Sequence, residues 1–172
     1  MNIYGSTKLL GEEFIKKHLS KYIILRTSWV FSELGNNFLK SMIAIAKKSS
    51  SINIVDDQIG GPTPSHEIAE VLIKFINLYK NDPTSLKWGI YNFSGYPHVS
   101  WHAFATNIFC DAKKLNILNK VPVLNPIPGS GFQTKAKRPP NSSLDCSKIN
   151  KFLNIKNSRW EDSLQSILKN LN

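Results

Sequence analysis

Acidic residues are scarce in this chain. Twelve Asp and Glu stand against 22 Lys and Arg, a net charge of +10 over 172 residues. Such an excess raises nucleic acid as a partner, but the pattern argues against it. Lysines such as Lys16, Lys17, Lys47, Lys48, Lys113, Lys114, Lys135 and Lys137 come in no run longer than two. No recognition-helix pattern and no basic stripe interleaved with aromatics is present. A solvated lysine-rich surface, or attraction for a small phosphorylated ligand, fits better. Cysteine is scarcer still. Cys110 and Cys146 could pair, but nothing demands it, and a reducing compartment is the plain reading. No apolar run approaches the ~20 residues of a membrane helix. No charged segment followed by an apolar one opens the chain, so a cytoplasmic location is expected. His18, His66, His98 and His102 show no ligand spacing with Cys or carboxylates, and no metal site is assigned from them. Internal repeats and low-complexity segments are absent.

What is present is 41% hydrophobic and 20% charged, ordinary for a globular protein and enough for one respectable core. The chain opens on Tyr4-Gly5-Ser6-Thr7-Lys8-Leu9-Leu10-Gly11-Glu12. In a helix, Tyr4 and Lys8 lie one turn apart on one face. A tyrosine of ordinary pKa, near ~10, is a poor acid or base at neutral pH. A neighbouring ammonium favours the phenolate. A tyrosine so tuned can donate a proton to an oxyanion, while the lysine keeps donors for ribose hydroxyls. The spacing alone is common in amphipathic helices.

Apolar periodicity predicts a helix from Asn2 to about His18, with Gly11 explained by close packing against a neighbour. Tyr22-Ile23-Ile24-Leu25 reads as a strand buried on both faces, followed by polar Arg26-Thr27-Ser28-Trp29 at the carboxyl end, where open α/β sheets bind ligands. Phe38–Lys48 reads as a helix capped by Asn36 or Asn37, and Ile52–Val55 as a strand. Asp57–Pro64 is a turn-rich loop, and Ser65 is expected to cap a helix reaching Tyr79. Gly89–Phe93 is a strand. Ser100 caps a helix carrying Trp101, Phe104, Ala105, Ile108 and Phe109 at core spacing. Val121–Leu124 is a short strand, placed at an edge by its proline. Pro126–Pro140 holds four prolines and reads as irregular. Ser147 opens a short helix, and Arg159–Leu171 forms the last. The alternation predicts an α/β fold with a largely parallel sheet.

Four stretches together resemble the extended short-chain dehydrogenase/reductase family: the opening one, Leu25-Arg26-Thr27-Ser28-Trp29-Val30-Phe31, Asp57-Gln58-Ile59-Gly60-Gly61-Pro62-Thr63, and Arg138-Pro139-Pro140-Asn141-Ser142-Ser143-Leu144-Asp145. Tyr91-Asn92-Phe93-Ser94-Gly95 supports them. Within the family, the second and fourth stretches are most similar to reductases of dTDP-4-keto-6-deoxy sugars. The resemblance implies the C-terminal part of a Rossmann-like parallel sheet with helices, plus a small α/β substrate-binding domain. Residues 1–57, with a strand near 89–95, would belong to the first, and residues 58–172 mostly to the second.

It also implies roles. Tyr4 would protonate the alkoxide formed when NADPH or NADH reduces the C4 ketone. Lys8 would hold the cofactor ribose and lower the Tyr4 pKa. Thr27 and Ser28 would line the nicotinamide side. Trp29, Asn37, Gly61, Pro62 and Thr63 would contact or shape the substrate site, and Arg138 would meet the diphosphate of a dTDP-sugar. The family is often associated with Mg2+ at a subunit contact. The nine glycines form no G-x-G-x-x-G or G-x-x-G-x-x-G, so the cofactor cradle and the third catalytic hydroxyl would lie in a preceding part. The isolated chain is therefore expected to be inactive, to bind no NAD(P)H, and to be marginally stable unless completed by an N-terminal part or a homodimer. A non-catalytic regulatory relative, or another nucleotide-sugar epimerase or dehydratase, are the alternatives.

Overall fold

The computed structural model describes residues 3–132 and 138–171. The predicted helix start at Asn2 and residues 133–137 of the Pro-rich stretch lie outside them. The elements are α1 (Ile3–His18), β1 (Ile23–Arg26), β2 (Val30–Phe31), α2 (Phe38–Ala46), β3 (Ser51–Val55), β4 (Ile59–Gly60), β5 (Thr63–Pro64), α3 (Ser65–Asn81), β6 (Gly89–Asn92), β7 (Gly95–Tyr96), β8 (Val99–Ser100), α4 (Trp101–Lys114), β9 (Val123–Ile127), α5 (Ser147–Leu153), β10 (Ser158–Arg159) and α6 (Trp160–Lys169). The architecture is mixed α/β, as the alternation predicts.

Among the described residues the strands pair two by two. β1 with β6, β3 with β9, β2 with β5 and β7 with β10 are parallel, and β4 with β8 is antiparallel. β9 starts two residues later than predicted and keeps Pro126 opposite Ile54. A two-stranded pair leaves each strand one open side, where the missing N–H of a proline costs nothing.

The caps explain most helix starts. The Asn37 side chain accepts from the Lys40 N–H and opens α2; the Ser100 hydroxyl accepts from the Ala103 N–H and opens α4. Ser65 is not a cap. Helix α3 runs straight out of β5, so extended Pro64 holds the cap position and Ser65 is already helical. Gly11 also differs from expectation. A Cβ built there meets nothing within 4 Å, because that side of α1 faces open space.

Two cores form. One surrounds α4, whose Phe104, Ala105, Ile108, Phe109 and Ala112 are buried against Phe31, Leu39, Met42, Ile52, Trp160 and Leu164. Each large side chain fully buried there is worth about 1.5–3 kcal/mol. The other joins Val71 and Phe75 of α3 to Tyr91, Phe93 and Ile149, with Ile23 and Leu25 of β1 packed beside them.

Candidate functional site

The site begins where β1 ends. Between Arg26, paired to β6, and Val30, paired to β5, the chain changes partner within three residues. Trp29 absorbs the turn at φ +49, a left-handed conformation unusual for a bulky residue. Thr63 pins the loop. Its N–H donates to Trp29 O at 3.1 Å, its hydroxyl donates to Ser28 O at 2.7 Å, and its oxygen accepts from the Gly95 N–H at 3.1 Å.

The Trp29 indole lies flat on Trp101, with ring centroids 3.4 Å apart and planes 5° off parallel. Gly60 abuts its Nε1–Cε2 side, where an added Cβ would fall 2.3 Å from the ring; only glycine fits. The indole N–H donates to Ser142 Oγ at 2.9 Å. Phe38 tilts against Trp101 at 4.5 Å, and the Arg138 guanidinium carbon stands 6.0 Å from the Trp101 ring. These side chains, with Met42, Ile54, Asn53, Gln58, Gly129 and Phe132, line a cavity of about 460 Å3. Its lining is mainly apolar, and Arg138 is its one charged residue among those described. Such a space, with few polar groups and one guanidinium, suits a ligand with a flat ring and an anionic group.

Tyr4 and Lys8 come together as spaced. Lys8 Nζ sits 5.5 Å from the Tyr4 ring centroid, and Tyr4 is 69% exposed. Their helix is tied to β1 by a bidentate pair, Arg26 Nε to Glu12 Oε1 at 2.8 Å and Arg26 Nη2 to Glu12 Oε2 at 2.6 Å. The hydrogen bond from Arg26 holds the Glu12 carboxyl below its usual range and raises the Arg26 guanidinium in turn. The pair joins the tyrosine stretch to the tryptophan stretch. Thr27 is exposed, and Ser28 Oγ is buried without a hydrogen-bond partner among the described residues.

The other predicted residues serve the scaffold. Asn37 spends its amide on the α2 cap and on Ser32 O at 2.8 Å. Pro62 and Thr63 are fully buried, and a Cβ on Gly61 would fall 2.3 Å from Gly95 O. They hold the Trp29 loop and do not line the cavity. Trp101, Phe38, Gln58, Asn53 and Phe132 line it without having been singled out. Trp101 and Phe38 carried a signal: each is the first helical residue after a capping Ser or Asn, where a large aromatic projects past the helix end. No three His, Cys, Asp or Glu that could hold a metal ion gather among the described residues, and the magnesium associated with the resemblance finds no support. No described helix is long and apolar enough to cross a membrane.

A dTDP-4-dehydrorhamnose reductase of Aggregatibacter actinomycetemcomitans is 45% identical over 165 residues, 96% of this chain and 56% of that protein. One from Salmonella typhimurium is 33% identical over 168 residues, 98% of this chain and 56% of that protein. The chain thus spans just over half the length of these relatives. The solved dTDP-4-dehydrorhamnose reductase of Bacillus anthracis, in complex with NADP, superposes with a TM-score of 0.83 at 31% identity, covering 97% of this chain and 55% of that one. Residues 1–172 match the family described as RmlD substrate binding domain, and the chain belongs to that family.

Proposed function

We propose that this chain carries the substrate-binding and proton-donating part of an NAD(P)H-dependent dTDP-4-dehydrorhamnose reductase. The cavity carries the reading. Its stacked indoles offer a face for a nucleobase or sugar ring, and Arg138 offers a fork of donors for a diphosphate. Tyr4 gives its phenolic proton to the oxygen that becomes the C4 hydroxyl. Lys8 supplies donors for the ribose of the cofactor. NADPH or NADH, when bound, supplies the hydride. The residues present fit the nicotinamide end of such a cofactor: Tyr4 and Lys8 share an open face, and Ser28 Oγ is a buried polar atom without a hydrogen-bond partner among the described residues. They include no glycine-rich cradle for its pyrophosphate.

Core packing supports a Rossmann-like part around β1, β6 and α3 and a substrate-binding part around α4 that takes in Phe31, Leu39, Met42 and Ile52, a division that differs from residues 1–57 and 58–172. Apolar residues left open on α1 and α3, among them Leu10, Phe14, Ile73 and Ile76, support completion by an N-terminal part or by a second copy.

Calorimetric titration of the 172-residue chain tests this. We expect dTDP to bind with a Kd of order micromolar, and UDP more weakly. Arg138→Ala should weaken dTDP binding roughly tenfold or more, as loss of a charged hydrogen bond does. Tyr4→Phe should leave it unchanged, and NADPH should give no change in nicotinamide fluorescence. No dTDP binding, or equal binding of dTDP by wild type and Arg138→Ala, would overturn the reading.

A further inference from the structure

We infer that Ser142 is the positioning residue of this cavity: its hydroxyl presets Trp29 as the wall on which the nucleotide sugar is held. The inference rests on reading the cavity as a dTDP-sugar site.

Trp29 stands at φ +49, where a bulky side chain persists only if its surroundings over-determine it. Three contacts do so. Trp101 stacks on one face of the indole, and Gly60 crowds its Nε1–Cε2 side, where a Cβ would fall 2.3 Å from the ring. Both restrict where the ring can lie, but neither offers its N–H a partner. The third contact does. Ser142 Oγ accepts from Nε1–H, the indole's one polar atom, at 2.9 Å. The same hydroxyl donates to Ile59 O at 3.1 Å, so its donor and an acceptor site are both engaged.

Ser142 is itself held by backbone. Its N–H donates to Ile59 O and the Ile59 N–H donates to Pro140 O, both at 2.8 Å. Segment 138–142 is thereby laid along β4, with Arg138 over Trp101 and Ser142 at the edge of Trp29. One strap brackets the two-ring stack with a cation for the ligand and a hydroxyl for the wall. Without that hydroxyl the indole N–H is unpaired and the ring is free to leave the stack. A ligand would then have to order it on binding.

The test is a double-mutant cycle on the 172-residue chain, read by dTDP titration and by the tryptophan near-ultraviolet circular dichroism of the ligand-free protein. Ser142→Ala should weaken dTDP binding roughly three- to tenfold, the worth of one hydrogen bond, and change the near-ultraviolet spectrum while the far-ultraviolet spectrum stays. Ser142→Cys, of similar size and a weaker acceptor, should fall between. In a Trp29→Phe background, which lacks the donor, Ser142→Ala should add nothing to either readout. Additive effects in the two backgrounds, or wild-type affinity and spectrum in Ser142→Ala, would overturn the inference. If Ser142→Ala fails to fold, Ser142→Cys completes the same cycle. If no variant binds dTDP while the spectrum changes only where Trp29 is present, the positioning role stands and the dTDP reading falls.

Discussion

Helices α1 and α4 have nearly the same length, 16 and 14 residues, and both carry apolar side chains at helical spacing. Their fates differ. Helix α4 buries five residues, three of them at 0% exposure with large side chains: Phe104, Ile108 and Phe109. Helix α1 buries none, and its Leu10 and Phe14 are 62% and 66% exposed. Periodicity reveals that a helix has an apolar face. It does not reveal whether anything in the same chain covers that face. The half of the molecule around α4 closes on itself, while α1 and α3 in the other half leave apolar side chains exposed among the described residues.

The sharpest test of this contrast is Phe104→Ala. Phe104 packs edge-on to Phe31 and Trp160 at 5.2 Å and lies over Phe38 at 5.6 Å. Removing it should cost about 3–5 kcal/mol and abolish a cooperative thermal melt. A melt shifted by only a few degrees would mean that the α4 core is as open as α1.

Next in size is Gly95→Ala, at the joint between the two halves. Gly95 follows β6 of the open half, yet its Cβ position lies 1.7 Å from Pro62 O and 3.2 Å from Trp160 Cβ of the closed one. An alanine there must push backbone apart, and we expect a loss of about 1–3 kcal/mol by chemical denaturation. An unchanged midpoint would show that the halves are less tightly joined than these distances imply.

Much of the fold is legible in the residues, and the part that is not, this contrast included, has a physical reason. Helix positions, the Asn37 and Ser100 caps and the strands β1, β3 and β6 follow from local patterns, because short-range spacing and capping chemistry decide them. The two-residue strands β2, β4, β5, β7, β8 and β10 leave no periodicity to read. Trp29 and Arg138 were singled out by motif and do line one cavity, although 109 positions separate them. Trp101 read as a core residue because its spacing is that of the core face; its stacking on Trp29 is a tertiary fact. Ser142 stood in a noticed motif, but its partner, 113 residues away, could not be seen in it. Gly11 differs because a glycine in a helix suggests a tight neighbour, whereas a Cβ there meets nothing within 4 Å among the described residues.

A smaller effect concerns how α1 is held. The Glu12–Arg26 pair is a side-chain tie from α1 to β1. The Glu12 carboxyl titrates below its ordinary value near 4.5 in the folded state. Its contribution is therefore complete above that value and fades as pH falls through the depressed one. A partly exposed pair of this kind is worth at most about 1 kcal/mol. Hydrogen exchange should show amides of residues 3–18 opening faster below about pH 4, with residues 104–112 unaffected. Glu12→Gln should make α1 exchange fast at neutral pH and remove the pH dependence. Equal acceleration in both helices would mean that α1 is not separately held.

The smallest expected effect is the most telling. Ile73 on α3 is 53% exposed, an apolar side chain as large as buried Ile108 at 0%. Ile73→Lys should change the stability of the dilute chain by no more than about 0.5 kcal/mol, because nothing packed is lost. It should also reduce self-association at high concentration, measured by light scattering, since a charge now interrupts the apolar face. The same substitution at Ile108 would unfold the chain. If Ile73→Lys instead destabilises the chain in dilute solution by several kcal/mol, a second copy already covers that face at low concentration. The open half would then be an interface, and the difference between α1 and α4 would be one of partner rather than of coverage.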